Sequence, residues 1–212
     1  MTRSTLRTRS LVAAVASVAL TALIMPVAAN AQSVVGRGLE VRPVVGAFIP
    51  TGDQRDLLKD AVLVGGEVGW HFARSFALVG SFGWAPTKDK TTALTGSTLF
   101  TGREEKVDLY QYDLGLEWRL PYSIQTAWAV RPYLGAGAGG RTYSYRDVTS
   151  SSQTDFLGYG KIGVDVAPST GLLGLRFEAR DNLTRFEGLR GELADATTRN
   201  DVQLTGGLTF RF

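Results

Sequence analysis

His71 is the only histidine of this 212-residue chain, so acid–base or nucleophilic chemistry would have to depend on it. Ser75 and Ser81 share its side-chain parity on the following segment, which makes a Ser–His pair conceivable. We favour a packed structural histidine and expect no catalytic residue. Cysteine is absent, which excludes disulfides and thiolate metal sites and leaves one histidine and carboxylates as ligands. We therefore expect no metal site and no cofactor.

Charged residues are stronger candidates for a functional role than His71 and the serines, because they recur on the polar face of segments that alternate polar and apolar residues. Seven bases and six acids share this face, and the near balance of sign predicts that they pair with one another. For the closing seam we predict a specific pair, Glu40 with Arg211. The predicted charge network comprises Glu40, Arg42, Glu67, Asp113, Glu117, Arg119, Arg131, Lys161, Asp165, Arg176, Glu178, Arg180 and Arg211.

The segments that carry these charges alternate apolar and polar residues with a period of two, which is the pattern of a β-strand with one apolar face. In the last of them, the side chains from Val202 to Phe212 are apolar or glycine at every second position. Eight such segments span residues 39–49, 61–72, 76–84, 106–120, 128–143, 155–166, 172–182 and 201–212. An all-β fold of eight strands is therefore predicted.

The connections between the segments alternate between short and long. Short links lie near residues 73, 121–126 and 168–170, and longer polar stretches cover residues 50–60, 86–105, 145–154 and 183–200. Short turns on one side and long loops on the other are typical of transmembrane barrels, in which the short turns face the periplasm. The pattern predicts an eight-stranded antiparallel up-and-down transmembrane β-barrel, with surface loops whose partner the sequence does not identify.

The amino terminus has the features of a secretory signal peptide. Arg3, Arg7 and Arg9 precede an apolar run, and Ala29-Asn30-Ala31 provides a cleavage site before Gln32. A membrane anchor is the alternative, but Pro26 breaks the run. We predict a cleaved signal at residues 1–31 and a barrel domain at residues 32–212. Without the three arginines the 23 bases become 20, equal to the 20 acids, so nucleic-acid binding is not expected.

A soluble barrel of the lipocalin kind would also have eight alternating strands, but with its apolar face turned inward. Two features favour the membrane arrangement. All four tryptophans fall on the apolar face near strand ends, where an aromatic girdle lies in a membrane barrel: Trp70, Trp84, Trp118 and Trp128. The final strand, with Leu208, Phe210 and Phe212 on its apolar face, ends on an aromatic residue, for which a lipocalin has no reason.

This ending, the signal peptide and the segment from Val45 to Asp53 resemble those of the small outer-membrane barrels of the OmpA type. We expect no peptidoglycan-binding domain of the kind that longer members carry. The resemblance implies that Leu208, Phe210 and Phe212 form an assembly signal for the barrel-assembly machinery. It also implies an outer-membrane location, in contact with lipid and lipopolysaccharide. We expect a structural or surface-interaction role with a filled lumen. A narrow channel and a lipid-modifying enzyme are the alternatives.

Overall fold

The computed structural model describes residues 38–52, 54–89, 105–120, 124–125, 128–145, 152–168, 172–186 and 197–212. The predicted signal peptide lies outside these ranges. The strands are β1 Gly38–Thr51, β2 Ala61–His71, β3 Phe76–Asp89, β4 Glu105–Arg119, β5 Ile124–Gln125, β6 Trp128–Tyr145, β7 Ser152–Pro168, β8 Leu173–Phe186 and β9 Thr197–Arg211. One helical turn, α1 Gln54–Leu57, follows β1. Among the described residues, no helix has the length and apolar character needed to span a membrane.

Eight long strands close into one barrel, as predicted. Each strand pairs antiparallel with its neighbour in the chain, and β5 is a two-residue addition to the edge of β6. The barrel is closed by the pairing of β1 with β9, in a register that sets Glu40 opposite Arg211. Although β5 lies between β4 and β6 in the chain, β4 pairs directly with β6. The up-and-down antiparallel fold class is confirmed. We call the end at residues 72–75, between β2 and β3, the short-turn end, and the opposite end the long-loop end.

The two faces of the barrel wall have the polarity of a membrane protein. On β4, Leu114 points outward and is 56% exposed, whereas Glu117 points inward and is fully buried. The same contrast recurs around the barrel, because successive side chains of a strand point to opposite faces. Large apolar side chains on the outside and charges inside are the reverse of a soluble protein, and they fit a lipid-facing exterior.

Several strands continue into stretches that the sequence pattern assigned to loops. β3 extends to Asp89, β8 extends to Phe186, and β9 begins at Thr197. In β3 the extension is paired with β4, where Lys88 lies opposite Lys106. The predicted boundaries were wrong here because each strand was ended where its apolar face ended. The backbone hydrogen bonds between strands do not require an apolar face and continue beyond that point.

Glycines on the inward face let two tyrosines lie against the wall. A β-carbon at Gly115 would collide with the hydroxyl of Tyr159, and one at Gly163 would collide with the ring of Tyr133. The glycine-rich stretch of β6, residues 135–140, packs closely against neighbouring parts of the chain. Gly137 does so, since it too lies beneath the Tyr159 hydroxyl. Small residues thus leave room for long side chains that reach across the lumen.

Candidate functional site: the filled lumen

Three carboxylates meet around one ammonium group inside the lumen. Glu67, Glu117 and Glu178 come from three different strands, and their oxygens lie within 4.8 Å of one another. Lys161 Nζ lies 2.8 Å from Glu117, 3.1 Å from Glu178 and 3.3 Å from Glu67. Such a triad has the donor atoms for a cation, but the ammonium of Lys161 takes that position. We call these four residues the Lys161 cluster.

Arg42 and Arg176 extend the Lys161 cluster on two sides. Arg42 donates to Glu67 at 3.0 Å and to Glu117 at 3.2 Å, and its guanidinium is fully buried. Arg176 hydrogen-bonds Glu117, approaches Glu178 at 3.2 Å, and stacks on the Tyr133 ring at 3.7 Å from its centroid. Because each charge has several partners of opposite sign, burial leaves none of these ions uncompensated.

Glu40 organises the short-turn end of the lumen. Arg211 Nε donates to Glu40 at 3.1 Å, which is the pair predicted for the closing seam. Arg42 Nη2 and Arg119 Nη2 donate to the same carboxylate at 2.6 Å and 2.8 Å. His71 Nε2 lies 3.1 Å from Glu40. One carboxylate therefore faces three guanidinium groups and an imidazole.

The conceivable Ser–His pair is not formed. The Ser81 hydroxyl donates to Asp113, while His71 lies against Glu40 near the short turn. Arg180 Nη2 donates to Asp113 at 2.7 Å, and the Arg180 guanidinium stacks 3.4 Å from the Tyr159 ring centroid. The Ser81 hydroxyl is thus part of a second polar layer of the lumen and is not aligned with the histidine.

A third polar layer, nearer the long-loop end, was missed by the sequence analysis. Arg141 is fully buried, forms a two-point ion pair with Asp201, and donates to Gln111 at 2.8 Å. Asn182 donates to Asp201 at 2.8 Å. Arg141 and Asp201 have inward parity, and that signal would have found them. They were left out because they lie close to predicted strand ends.

Beyond these polar layers, towards the long-loop end, the described part of the lumen is mainly apolar. Its inward side chains at the long-loop end pack into one buried cluster, which we call the apolar plug: Phe48, Leu58, Leu63, Ala85, Val107, Leu109 and Tyr143. Leu58 follows α1 directly, and Gln54 of α1 donates to the Tyr143 hydroxyl at 3.4 Å. The start of the first long loop is therefore folded over the lumen.

Of the predicted network, Arg131 stands apart. It has inward parity and lies opposite Asp165 in the β6–β7 register, but it is half-buried at the short-turn end. It makes no ion pair with another residue of the described part of the chain. Asp165 instead pairs with Arg176 at 3.2 Å and lies 3.5 Å from Arg119.

The predicted girdle and assembly residues all lie on the outward face. Trp70, Trp118 and Trp128 are exposed at the short-turn end. Trp84 lies farther along β3 and donates to Asp108 at 3.1 Å. Of the predicted assembly residues, Leu208 and Phe210 lie on the outward side of β9, and the exposed Phe212 follows the strand. The Phe212 amide donates to the carbonyl of Leu39 at 2.9 Å.

Comparison with known proteins agrees with this architecture. The family model described as the outer membrane protein beta-barrel domain matches residues 15–212. No curated protein matches the chain. Neisserial surface protein A, a solved structure, is 15% identical, with 82% of this chain and 97% of that chain covered and a TM-score of 0.60.

Two further solved structures are similar more loosely. OprG from Pseudomonas aeruginosa is 14% identical, covering 84% of this chain and 97% of that chain at a TM-score of 0.48. Ail from Yersinia pestis is 15% identical, covering 84% of this chain and 99% of that chain at a TM-score of 0.46. The likeness to the neisserial protein concerns the fold alone, because a shared fold at 15% identity does not imply a shared function.

Proposed function

The chain belongs to the outer-membrane β-barrel family, and we propose that it acts there as a closed barrel with a structural or surface-interaction role. The observation that carries this proposal is the complete burial of charges inside the lumen. Arg42, Glu117 and Arg141 all have no exposed surface. In a water-filled pore, lining charges would be in contact with solvent, whereas an eight-stranded barrel is narrow enough for side chains to fill.

Buried side chains at successive levels of the lumen support the closed barrel. From the short-turn end it holds the Glu40 group, the Lys161 cluster, the Asp113–Arg180 layer, the Arg141–Asp201 layer and then the apolar plug. An ion entering from either end would have to displace salt bridges or apolar side chains, and both steps are costly. The alternative of a narrow channel requires these layers to open.

A role as a lipid-modifying enzyme has less support. A hydrolytic site needs a nucleophile within hydrogen-bond reach of a base. The sole histidine lies against Glu40, and the Ser81 hydroxyl donates to Asp113, whose carboxylate is paired with Arg180 at 2.7 Å and is therefore a weak base. We therefore propose a role without catalysis, which a comparison of lipid A by mass spectrometry, in cells with and without the protein, would test.

The proposed location is the outer membrane, reached through a cleaved signal peptide. The lipid-facing side chains and the outward tryptophans support contact with outer-membrane lipid and lipopolysaccharide. We further propose that Leu208, Phe210 and Phe212 are read by the barrel-assembly machinery. Deleting Phe212 should then lower the outer-membrane yield and raise periplasmic aggregate in a fractionation experiment. Normal insertion of the deletion variant would refute this assignment.

Planar-bilayer recording tests the closed lumen directly. The purified protein should show no sustained single-channel current, and the variant with exposed Arg74→Gln should behave in the same way. A steady current would favour the channel instead if its ion selectivity changed in Glu178→Gln or Arg176→Gln, whose side chains are buried in the lumen. A current that these two substitutions left unchanged would indicate a leak around the barrel.

A further inference from the structure

The short-turn mouth of the lumen carries more positive than negative side chains. Arg119, Arg131 and Arg211 point inward there from three different strands. The carboxylates beside them are Glu40 and Asp165. We call the three guanidinium groups the turn-end arginines.

The two carboxylates do not belong to the turn-end arginines alone. Glu40 is also held by Arg42 at 2.6 Å, and Asp165 is also held by Arg176 at 3.2 Å. The next carboxylates along the lumen are already in contact with cations in the Lys161 cluster. Within the described part of the chain, basic side chains at the mouth therefore outnumber acidic ones.

Several donors of the turn-end arginines have no acceptor. Arg119 Nε and Arg211 Nη2 are buried and make no hydrogen bond within the described residues. Arg131 is half-buried and has no ion pair in the described ranges. The charges around it are the guanidinium groups of Arg211 and Arg119 and the carboxylates of Asp165 and Glu40, which these and other cations already share. Like charges held close together with unused donors cost free energy, unless an anion or water binds between them.

We propose that the turn-end arginines form a binding site for a phosphate-type oxyanion. Guanidinium groups present planar pairs of N–H donors that match the oxygens of phosphate, and their charge makes these hydrogen bonds strong. The phosphate could be free in the compartment at the short-turn end, or it could belong to a lipid headgroup at the same interface. The inference goes beyond the closed-barrel proposal and would hold for a channel as well.

Arg131 is the residue to change, because it makes no ion pair that its loss would break in the described structure. The test variant is Arg131→Gln. The matched control is Arg74→Gln, which removes the same charge from an exposed arginine in the turn at the same end. Retention of heat-modifiable gel migration would show that both variants are folded before binding is measured.

Calorimetric titration of inorganic phosphate into the protein in nonionic detergent measures the free-anion arm. Saturable binding is expected for the unchanged protein. It should weaken by about tenfold or more in Arg131→Gln, the scale of one lost charge-assisted hydrogen bond, and by less than about twofold in Arg74→Gln. Sulfate should compete, because it presents similar oxygens.

Native mass spectrometry after extraction from phosphatidylcholine nanodiscs containing phosphatidic acid measures the lipid arm. Retention of phosphatidic acid that is lost in Arg131→Gln and kept in Arg74→Gln identifies a headgroup site. Phosphate binding without lipid retention identifies a site for a free anion. The inference is overturned if neither probe binds saturably, if Arg131→Gln binds like the unchanged protein, or if both variants weaken binding equally. None of these readouts depends on conductance.

Discussion

On strand β4 the inward side chains near the short-turn end are Glu117 and Arg119, whereas those near the long-loop end are Val107 and Leu109. Strand β1 shows the same change, from Glu40 and Arg42 to Phe48. The parity is the same throughout each strand, so the change follows position along the lumen. The strands thus fill one end of the lumen with charge and the other end with apolar packing.

The two ends differ in how they respond to the loss of one group. In the Lys161 cluster each ion stabilises several others, so removing one leaves buried charges without compensation. In the apolar plug each side chain contributes its own buried surface and contacts, and neighbours can partly relax into a gap. We therefore expect strong coupling between residues at the charged end and near-additive effects in the plug.

The largest effect is expected from Lys161→Met, which keeps much of the side-chain volume and removes the ammonium. Three carboxylates within 4.8 Å would then face one another. Unfolding by urea in detergent micelles should show a loss of about 3–5 kcal/mol in the free energy of unfolding, the usual result of breaking a buried charge pair.

Adding Glu117→Gln to Lys161→Met sharpens this test. Glu117 lies 2.8 Å from Lys161, so the double variant removes one of the repelling carboxylates. The double variant should be more stable than the sum of the two single losses predicts. A divalent cation should stabilise the single variant Lys161→Met but not the double variant, because only the single variant keeps three carboxylate donors at the emptied site. Simple additivity would show that the cluster is not coupled.

A smaller effect is expected from Leu109→Ala in the apolar plug. Leu109 has no exposed surface, and its truncation should cost about 2–4 kcal/mol through lost burial and a partly filled cavity. The matched control is Leu114→Ala on the same strand, where the side chain faces outward and detergent or lipid can fill the gap. Equal losses in the two variants would mean that the plug is not packed as an interior.

The strands and the facing of their side chains could be predicted because both follow from a period of two, which the sequence displays directly. The Glu40–Arg211 pair could be predicted because closure brings the first and last strands together. Partners across the lumen could not, since Arg176 and Glu117 are 59 residues apart and on strands that do not pair. Their contact depends on strand tilt and on how far long side chains reach.

The long-loop end was harder to predict than the short-turn end. Leu63, Leu109 and Leu157 point inward, although the pattern had assigned apolar residues to the outward face. Near strand ends the outward side chains no longer have to face the lipid layer. An apolar side chain can therefore point inward there, and its polarity no longer indicates which way it faces. Leu58 reaches the plug from a loop, and a period of two carries no information about that. Strand ends and loop contacts are therefore what the sequence pattern left out.

The smallest effect on stability is expected from Arg131→Gln, because Arg131 makes no ion pair in the described structure. Arg119→Gln is the comparison: both arginines point inward at the short-turn end, but Arg119 donates to both oxygens of Glu40 at 2.8 Å. Loss of the Arg131 charge should change the free energy of unfolding by no more than about 0.5 kcal/mol, as for a substitution that breaks no contact. Loss of the Arg119 charge should cost about 1.5–3 kcal/mol, because a charge-assisted hydrogen bond is removed. Both values come from the same urea titration in phosphate-free buffer.

The titration is then repeated with phosphate. If phosphate stabilises the unchanged protein and not Arg131→Gln, the Arg131 charge contributes to binding, while the Arg119 charge contributes to the stability of the fold. A loss in Arg131→Gln as large as in Arg119→Gln would instead place Arg131 within the structural network.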